Sequence, residues 1–217
     1  MRLARISIVG LALGVLASPV GAQRAFEEVV IPLLQYRTAD TRVLADTYDA
    51  DLRLLHADLR RCVPELDFNQ PGIGFRKPRG KPQLAPHLSI WMIADQSVGP
   101  NGEDLATKAA DAFQRYGRRL FRRLLARDSI GADPRMGGYG VVLTWMWAPP
   151  GEDLRGETLV VFVDGASAAG FVAGALGASA LLDHADIRLF EGDVEQPGVR
   201  VSVNDAQVKE DTAEDCR

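Results

Sequence analysis

The feature that most constrains the fold is a series of strand patterns that are apolar on both sides. Between residues 88 and 203, segments rich in β-branched and aromatic residues alternate with helical ones, in the order strand, helix, strand, strand, helix, strand. Successive side chains of a strand point to opposite faces. The segments 88–93, 139–147 and 158–163 therefore place large apolar residues on both faces of a sheet. Such a sheet needs cover on each side.

This order predicts an α+β fold with the ferredoxin-like, or split βαβ, arrangement, in which both helices lie on one face of an antiparallel sheet. The helices are expected at 101–128, with Asn101 as the N-cap, and at 165–182, interrupted by a glycine. A fourth strand is expected at 187–190 and a fifth at 199–203. Because two helices cover one face only, we expect an additional N-terminal helix packed on the second face.

That additional helix is predicted from Asp40 to Cys62, where Pro64 ends it. Its apolar residues recur at spacings of four and three: Tyr48, Leu52, Leu55, Leu59 and Cys62. A stripe this narrow indicates a helix that packs on another element through one side. It is the nearest candidate cover for the second face of the sheet, and a second subunit is the alternative cover.

Two sets of cations are candidate anion- or partner-binding residues. Residues 68–87 hold four prolines and three glycines, so an irregular loop is predicted. This loop is basic in a chain whose formal charge is −4. Its cations are Arg76, Lys77, Arg79 and Lys81, and those of the predicted helix 101–128 are Arg115, Arg118, Arg119 and Arg122. Each set has two interpretations, a site for an anionic partner or a solvated surface.

The N-terminus has the pattern of a secretory signal peptide. Arg2 and Arg5 precede an apolar run at 6–15, and small residues at 20–22 form a cleavage motif. We expect residues 1–22 to be removed and the protein to be periplasmic or secreted. The apolar run is short for a transmembrane span.

The two cysteines, Cys62 and Cys216, fit this compartment as a disulfide. The alternative is two free thiols, one buried and one exposed. A disulfide would hold the polar C-terminal tail, 206–217. The predicted division after the signal peptide is then an N-terminal helical segment (23–67), the basic loop (68–87), an α+β domain (88–205) and this tail.

One segment resembles a catalytic motif at a distance. Residues 165–169 follow a predicted strand and differ by one position from the Gly-x-Ser-x-Gly pattern of a hydrolase nucleophile, with Ser167 as the candidate serine and Ala169 in place of the last glycine. A base has to reach the serine, and His184 is the only histidine downstream. The alternative is that Asp164 or Ser167 caps the helix.

No metal-binding or cofactor-binding pattern is present. The sequence has no CxxC, HExxH or phosphate-loop spacing, and its acidic balance does not favour nucleic acid as a partner. We therefore predict no cofactor, no metal and no catalytic residue, and an exported non-catalytic protein that binds a small molecule or a protein. The alternatives are a secreted serine hydrolase using Ser167 and a self-associating envelope subunit. An anionic membrane surface, bound without spanning, and a second copy in a homodimer complete the candidate partners.

Overall fold

Six strands form one mixed sheet in the computed structural model, which describes residues 29–94, 98, 103–147, 153–210 and 216. The strands are β1 (Leu66–Arg76), β2 (His87–Ala94), β3 (Gly138–Trp147), β4 (Arg155–Val163), β5 (Asp186–Glu191) and β6 (Val194–Glu195). They lie side by side in chain order. All neighbours are antiparallel except β2 and β3, which are parallel. The predicted signal peptide and the predicted N-cap Asn101 fall outside the described residues.

Six α-helices accompany the sheet in the described ranges. They are α1 (Ala39–Thr47), α2 (Asp49–Cys62), α3 (Leu105–Leu125), α4 (Asp128–Gly131), α5 (Gly165–Val172) and α6 (Ala178–His184). Asp104 caps α3 and Asp164 caps α5, each carboxylate accepting a backbone N–H of the first turn at 2.9 Å. The predicted break in the helix 165–182 is confirmed. Gly174 lies between α5 and α6 and has a φ of 75°.

The α+β class is confirmed, but the strand order is not that of a split βαβ unit. In a split unit another strand separates the two parallel strands, whereas β2 and β3 pair directly along eight residues, from His87 with Gly138 to Ala94 with Trp145. The sheet is also mixed instead of antiparallel. The helix α3 connects β2 to β3 as a crossover, and these two parallel strands are hydrogen-bonded directly to each other.

The segment predicted as an irregular loop forms the strand β1 over its first half. This strand pairs with β2 in two stretches, 66–68 and 73–76, with a bulge between them. Pro71 lies in the bulge, where its missing N–H removes no ladder bond. At the outer edge of β1, the segment 29–31 adds backbone hydrogen bonds to Gly72 and Ile73. Proline and glycine content therefore indicated the bulge but hid the strand around it.

The helix predicted from Asp40 to Cys62 is present as two helices, α1 and α2, and α2 does not cover the second face. Arg119 of α3 donates to the backbone carbonyl of Cys62 at 2.8 Å, which places α2 beside α3. The His56 ring packs edge-on against Phe68 at 4.7 Å, and Phe68 pairs with Met92 on the face that α3 covers. The apolar stripe predicts which side of the helix is buried. It does not predict which face of the sheet the helix packs on.

Two further expectations have clear outcomes. The disulfide is confirmed, because Cys62 and Cys216 are bonded with their Cα atoms 4.4 Å apart. The fifth strand at 199–203 is wrong, since these residues are not in a strand. The partner of β5 is β6 instead, which follows a turn at Gly192 with a φ of 57°.

Candidate functional site

The sheet face opposite α3 carries an apolar groove. We call it the open-face groove, with a floor made of Trp91, Val142, Val160, Phe162 and Phe190. The cavity above this floor has a volume of about 750 Å³. Three of the five side chains, Trp91, Val160 and Phe190, are only half-buried. The second face is therefore apolar, as its strand pattern predicts, but it remains partly uncovered.

The floor contains a continuous row that crosses four strands. Trp91 of β2 pairs with Val142 of β3, which pairs with Val160 of β4, which pairs with Arg188 of β5. Three spacings between strands make this row roughly 14 Å long. The row is apolar until its last position, where Arg188 supplies a cation.

The walls of the groove come mainly from the segment before α1 and the loop after β1, and α1 contributes Thr41. The Tyr36 hydroxyl accepts the backbone N–H of Phe75 at 3.3 Å, which holds the segment before α1 against β1. A Cβ at Gly74 would collide with that hydroxyl, so glycine permits this close approach. Lys77 donates to the Pro82 carbonyl at 3.1 Å and braces the loop after β1. These walls shelter the rim but leave the centre of the floor open.

Cations outnumber acids in the lining of the groove. The charged lining residues of the described chain are Arg37, Arg76, Lys77, Arg79, Arg188 and Asp193. Three of the four predicted loop cations are among them, and the fourth, Lys81, pairs with Asp186 at 3.3 Å outside the lining. Sequence reasoning missed Arg37 and Arg188. A charge between Ile187 and Leu189, in a predicted strand (187–190) that is otherwise apolar, was the one signal that could have indicated Arg188.

Among the lining cations, Arg76 combines partial burial with the lack of a carboxylate partner, whereas Arg37 and Arg79 are exposed. Lys77 pairs with Asp40 at 3.4 Å, and Arg188 pairs with two carboxylates at 3.7 Å. Within the described residues, no carboxylate pairs with the guanidinium of Arg76. Its Nη2 donates to the Pro71 carbonyl at 3.1 Å, and its buried Nε has no hydrogen-bond partner there. The guanidinium lies over the ring of Trp91, 5.8 Å from the centroid.

The protonation states at this end of the groove follow from burial. Burial raises the pKa of Tyr36 to about 12, so the phenol keeps its proton at neutral pH. Burial also lowers the pKa of Arg76, with Tyr36 opposing the shift, yet an arginine stays charged under ordinary conditions. The Trp91 end therefore presents a fixed positive charge beside an apolar ring.

The arginines predicted on α3 lie on the other side of the sheet. Arg115 pairs with Asp111 of its own helix at 2.8 Å. Arg118 and Arg122 both pair with Glu210 of the C-terminal segment, and Arg119 pairs with Glu65. The two predicted sets of cations are thus separated. Three of the four loop cations border the groove. The four arginines of α3 pair with acidic residues of the same chain.

Ser167 is engaged in a helix cap. Its hydroxyl donates to Asp164 at 2.7 Å, and its backbone N–H donates to the same carboxylate at 2.9 Å. This is the capping arrangement that we considered beside the hydrolase interpretation. His184 ends α6, and no contact of the described chain joins it to Ser167.

The one cluster of metal-ligand types among the described residues is already used by the disulfide. Asp58, Cys62 and Cys216 have ligand atoms within 4.8 Å of one another. Because the two sulfurs are bonded to each other, neither is a thiolate that could bind a metal. Arg123 donates to the Cys216 sulfur at 3.1 Å, which anchors the tail beside α3.

Comparison with known proteins gives no relative: no protein family, curated protein or solved structure matches this chain. In the ranges that the structure describes, no helix combines the length and the apolar character needed to cross a bilayer. The open-face groove is therefore the feature of the molecule that bears on its function.

Proposed function

We propose that this chain is an exported binding protein that holds a small molecule with an apolar body in the open-face groove. One observation carries the proposal: an uncovered apolar floor lies under a cavity of about 750 Å³. That volume falls in the range of ligand pockets, which are concave, mostly apolar and marked by a few polar groups. Helices close the other face of the same sheet, so the open face is a local exception.

The residues around the groove favour binding over catalysis. Its lining in the described chain includes no histidine, cysteine or serine. The ionisable groups there are five cations, Asp193 and the Tyr36 phenol, which keeps its proton. Nucleophilic catalysis needs a nucleophile within reach of a base. The lining threonines Thr38 and Thr41 hydrogen-bond to each other, and Thr158 hydrogen-bonds to Thr144, so the described contacts bring no base to these hydroxyls.

Export is supported by two features. The N-terminal sequence has the order of charged, apolar and small residues that a secretory signal peptide has. The Cys62–Cys216 disulfide is a bond that persists in oxidising compartments. We propose that the protein acts in the periplasm or outside the cell.

A neutral apolar dye such as Nile red tests ligand binding without any contribution from charge. We expect one dye per chain and a blue shift of its emission. Val160→Asp places a carboxylate on the floor and should weaken dye binding at least about tenfold. Val43→Asp makes the same change at a position of α1 that is 49% exposed and outside the groove lining, and it should leave binding unchanged.

Two results would overturn the proposal. The first is that Nile red does not bind, or binds equally to both variants. The second is a stable dimer in light scattering that dissociates on Val160→Asp but not on Val43→Asp. That result would make the open face a self-association surface, as in an envelope subunit.

A further inference from the structure

We propose that the ligand of the open-face groove is an amphiphilic carboxylate, with its head on the guanidinium of Arg76 and its apolar body along the row from Trp91 to Val160. This inference rests on the proposed function and adds the chemical class of the ligand. It predicts a preference by charge, which binding of an apolar molecule alone does not require.

Arg76 lacks a counter-charge among the described residues. Lys77 and Arg188 have carboxylate partners. None pairs with Arg76, Arg37 or Arg79 in the described chain, and of these three only Arg76 is partly buried. Partial burial of an unpaired charge is unfavourable. A carboxylate brought by a ligand would supply the missing negative charge.

Arg76 lies at one end of the apolar floor. The guanidinium lies over Trp91, the first member of the row that continues through Val142 and Val160. A head bound at Arg76 therefore directs the attached chain or ring system onto apolar side chains. Arg188 at the far end is already paired with Asp186 and so is not a second open site.

The net charge of the lining residues and the planar shape of the guanidinium also favour a carboxylate. Five cations and one acid line the groove in a chain whose formal charge is −4. This local balance disfavours a cationic ligand and favours an anionic one. The planar fork of a guanidinium matches the two oxygens of a carboxylate.

Displacement of Nile red by three twelve-carbon probes tests the charge preference in the unaltered protein. The probes are dodecanoate, dodecanol and dodecyltrimethylammonium, all used below their aggregation concentrations at pH 8. We expect dodecanoate to displace the dye at a concentration roughly 10- to 100-fold below that of dodecanol, the range expected for a hydrogen bond to a charged group. The cationic probe should be the weakest of the three.

Variants of Arg76 locate the source of that preference. Arg76→Gln should remove the advantage of dodecanoate over dodecanol while leaving dodecanol unchanged, and Arg76→Lys should retain part of it because the charge remains. Arg115→Gln is the matched control, since it removes an equal charge from α3, where Asp111 pairs with it. The control should behave as the unaltered protein.

The outcomes separate the two proposals. Equal displacement by all three probes, with Nile red bound, would overturn the carboxylate inference and leave the proposed function standing. Failure of Nile red to bind would overturn both. If Arg76→Gln does not fold, as judged by circular dichroism, the comparison of the three probes on the unaltered protein still decides the inference.

Discussion

The two faces of one sheet differ in what covers them, and neighbouring residues of β4 show the difference. Val161 points toward α3 and is fully buried, whereas Val160 points into the groove and is half-buried. The closed face receives helices, a disulfide-anchored tail and a buried ion pair. In the described ranges the open face is bordered at its rim by the segment before α1, by Thr41 of α1 and by the loop after β1. We infer that the closed face carries most of the stability and that the open face is available for a ligand.

The largest expected contrast concerns ion pairs on the two sides. Lys108 of α3 contacts both carboxylate oxygens of Glu157 at 3.0 Å, and both side chains are almost fully buried. Lys108→Met leaves a buried carboxylate without its cation and should lower the free energy of unfolding by about 3 to 5 kcal/mol. Lys77→Met breaks the partly exposed pair with Asp40 and should cost about 0 to 1 kcal/mol. Urea denaturation measures both, and equal losses would contradict the contrast.

The disulfide provides a second test on the closed side. Cys62 and Cys216 are 154 residues apart, and loss of a native disulfide typically costs about 2 to 5 kcal/mol. Cys62→Ala/Cys216→Ala should therefore lower the thermal midpoint while leaving Nile red affinity unchanged. The intact protein treated with a reductant is the control and should behave in the same way. A loss of dye affinity in both samples would show that the tail contributes to the groove.

Truncation of the two neighbouring valines gives a smaller but closely matched contrast. Val161→Ala removes buried methyl groups under α3 and should cost about 2 kcal/mol. Val160→Ala removes half-exposed groups and should cost less than about 0.5 kcal/mol. Chemical denaturation of both variants measures the difference. The prediction is contradicted if Val160→Ala is the more damaging change.

The smallest expected effect concerns pH. Burial lowers the pKa of His87, whose ring lies edge-on to Phe162 at 5.4 Å at the end of the groove. The folded chain then binds this proton less readily than the unfolded chain, so stability is full above the unfolded pKa of about 6.5 and declines as the pH falls below it. Burial lowers the pKa of His56 as well, which adds to the same decline. His87→Asn should make the decline shallower, and an unchanged slope would contradict this.

Patterns that depend on a single strand or helix were predictable from sequence. The alternation at 88–93 and 139–147 located β2 and β3 within one residue at each end, and the spacing from Leu52 to Cys62 identified the buried side of α2. These patterns depend on local geometry alone. The disulfide followed from the number of cysteines and the expected compartment.

Arrangements that depend on pairing between distant segments were not predictable. Nothing local shows that β2 and β3 are adjacent, or that α2 lies beside α3 through Arg119. Alternation along 88–93 sets Trp91 on the face opposite to Ile90 and Met92, but its contact with Arg76 arises only when β1 pairs with β2. In each case the sequence does not show which distant segments pair, or in which register they pair.

The most direct test of the account is a comparison of two tryptophan indoles by NMR during titration with dodecanoate. The Trp91 indole lies at the groove and donates to Thr144 at 2.8 Å, whereas the Trp145 indole donates to Glu157 under α3. The chain has three tryptophans, and their signals are assigned with Trp91→Phe and Trp147→Phe. We predict that the Trp91 indole resonance shifts with saturation while the Trp145 resonance stays in place. A shift of Trp145 without Trp91, or no shift of either, would contradict a ligand site on the open face.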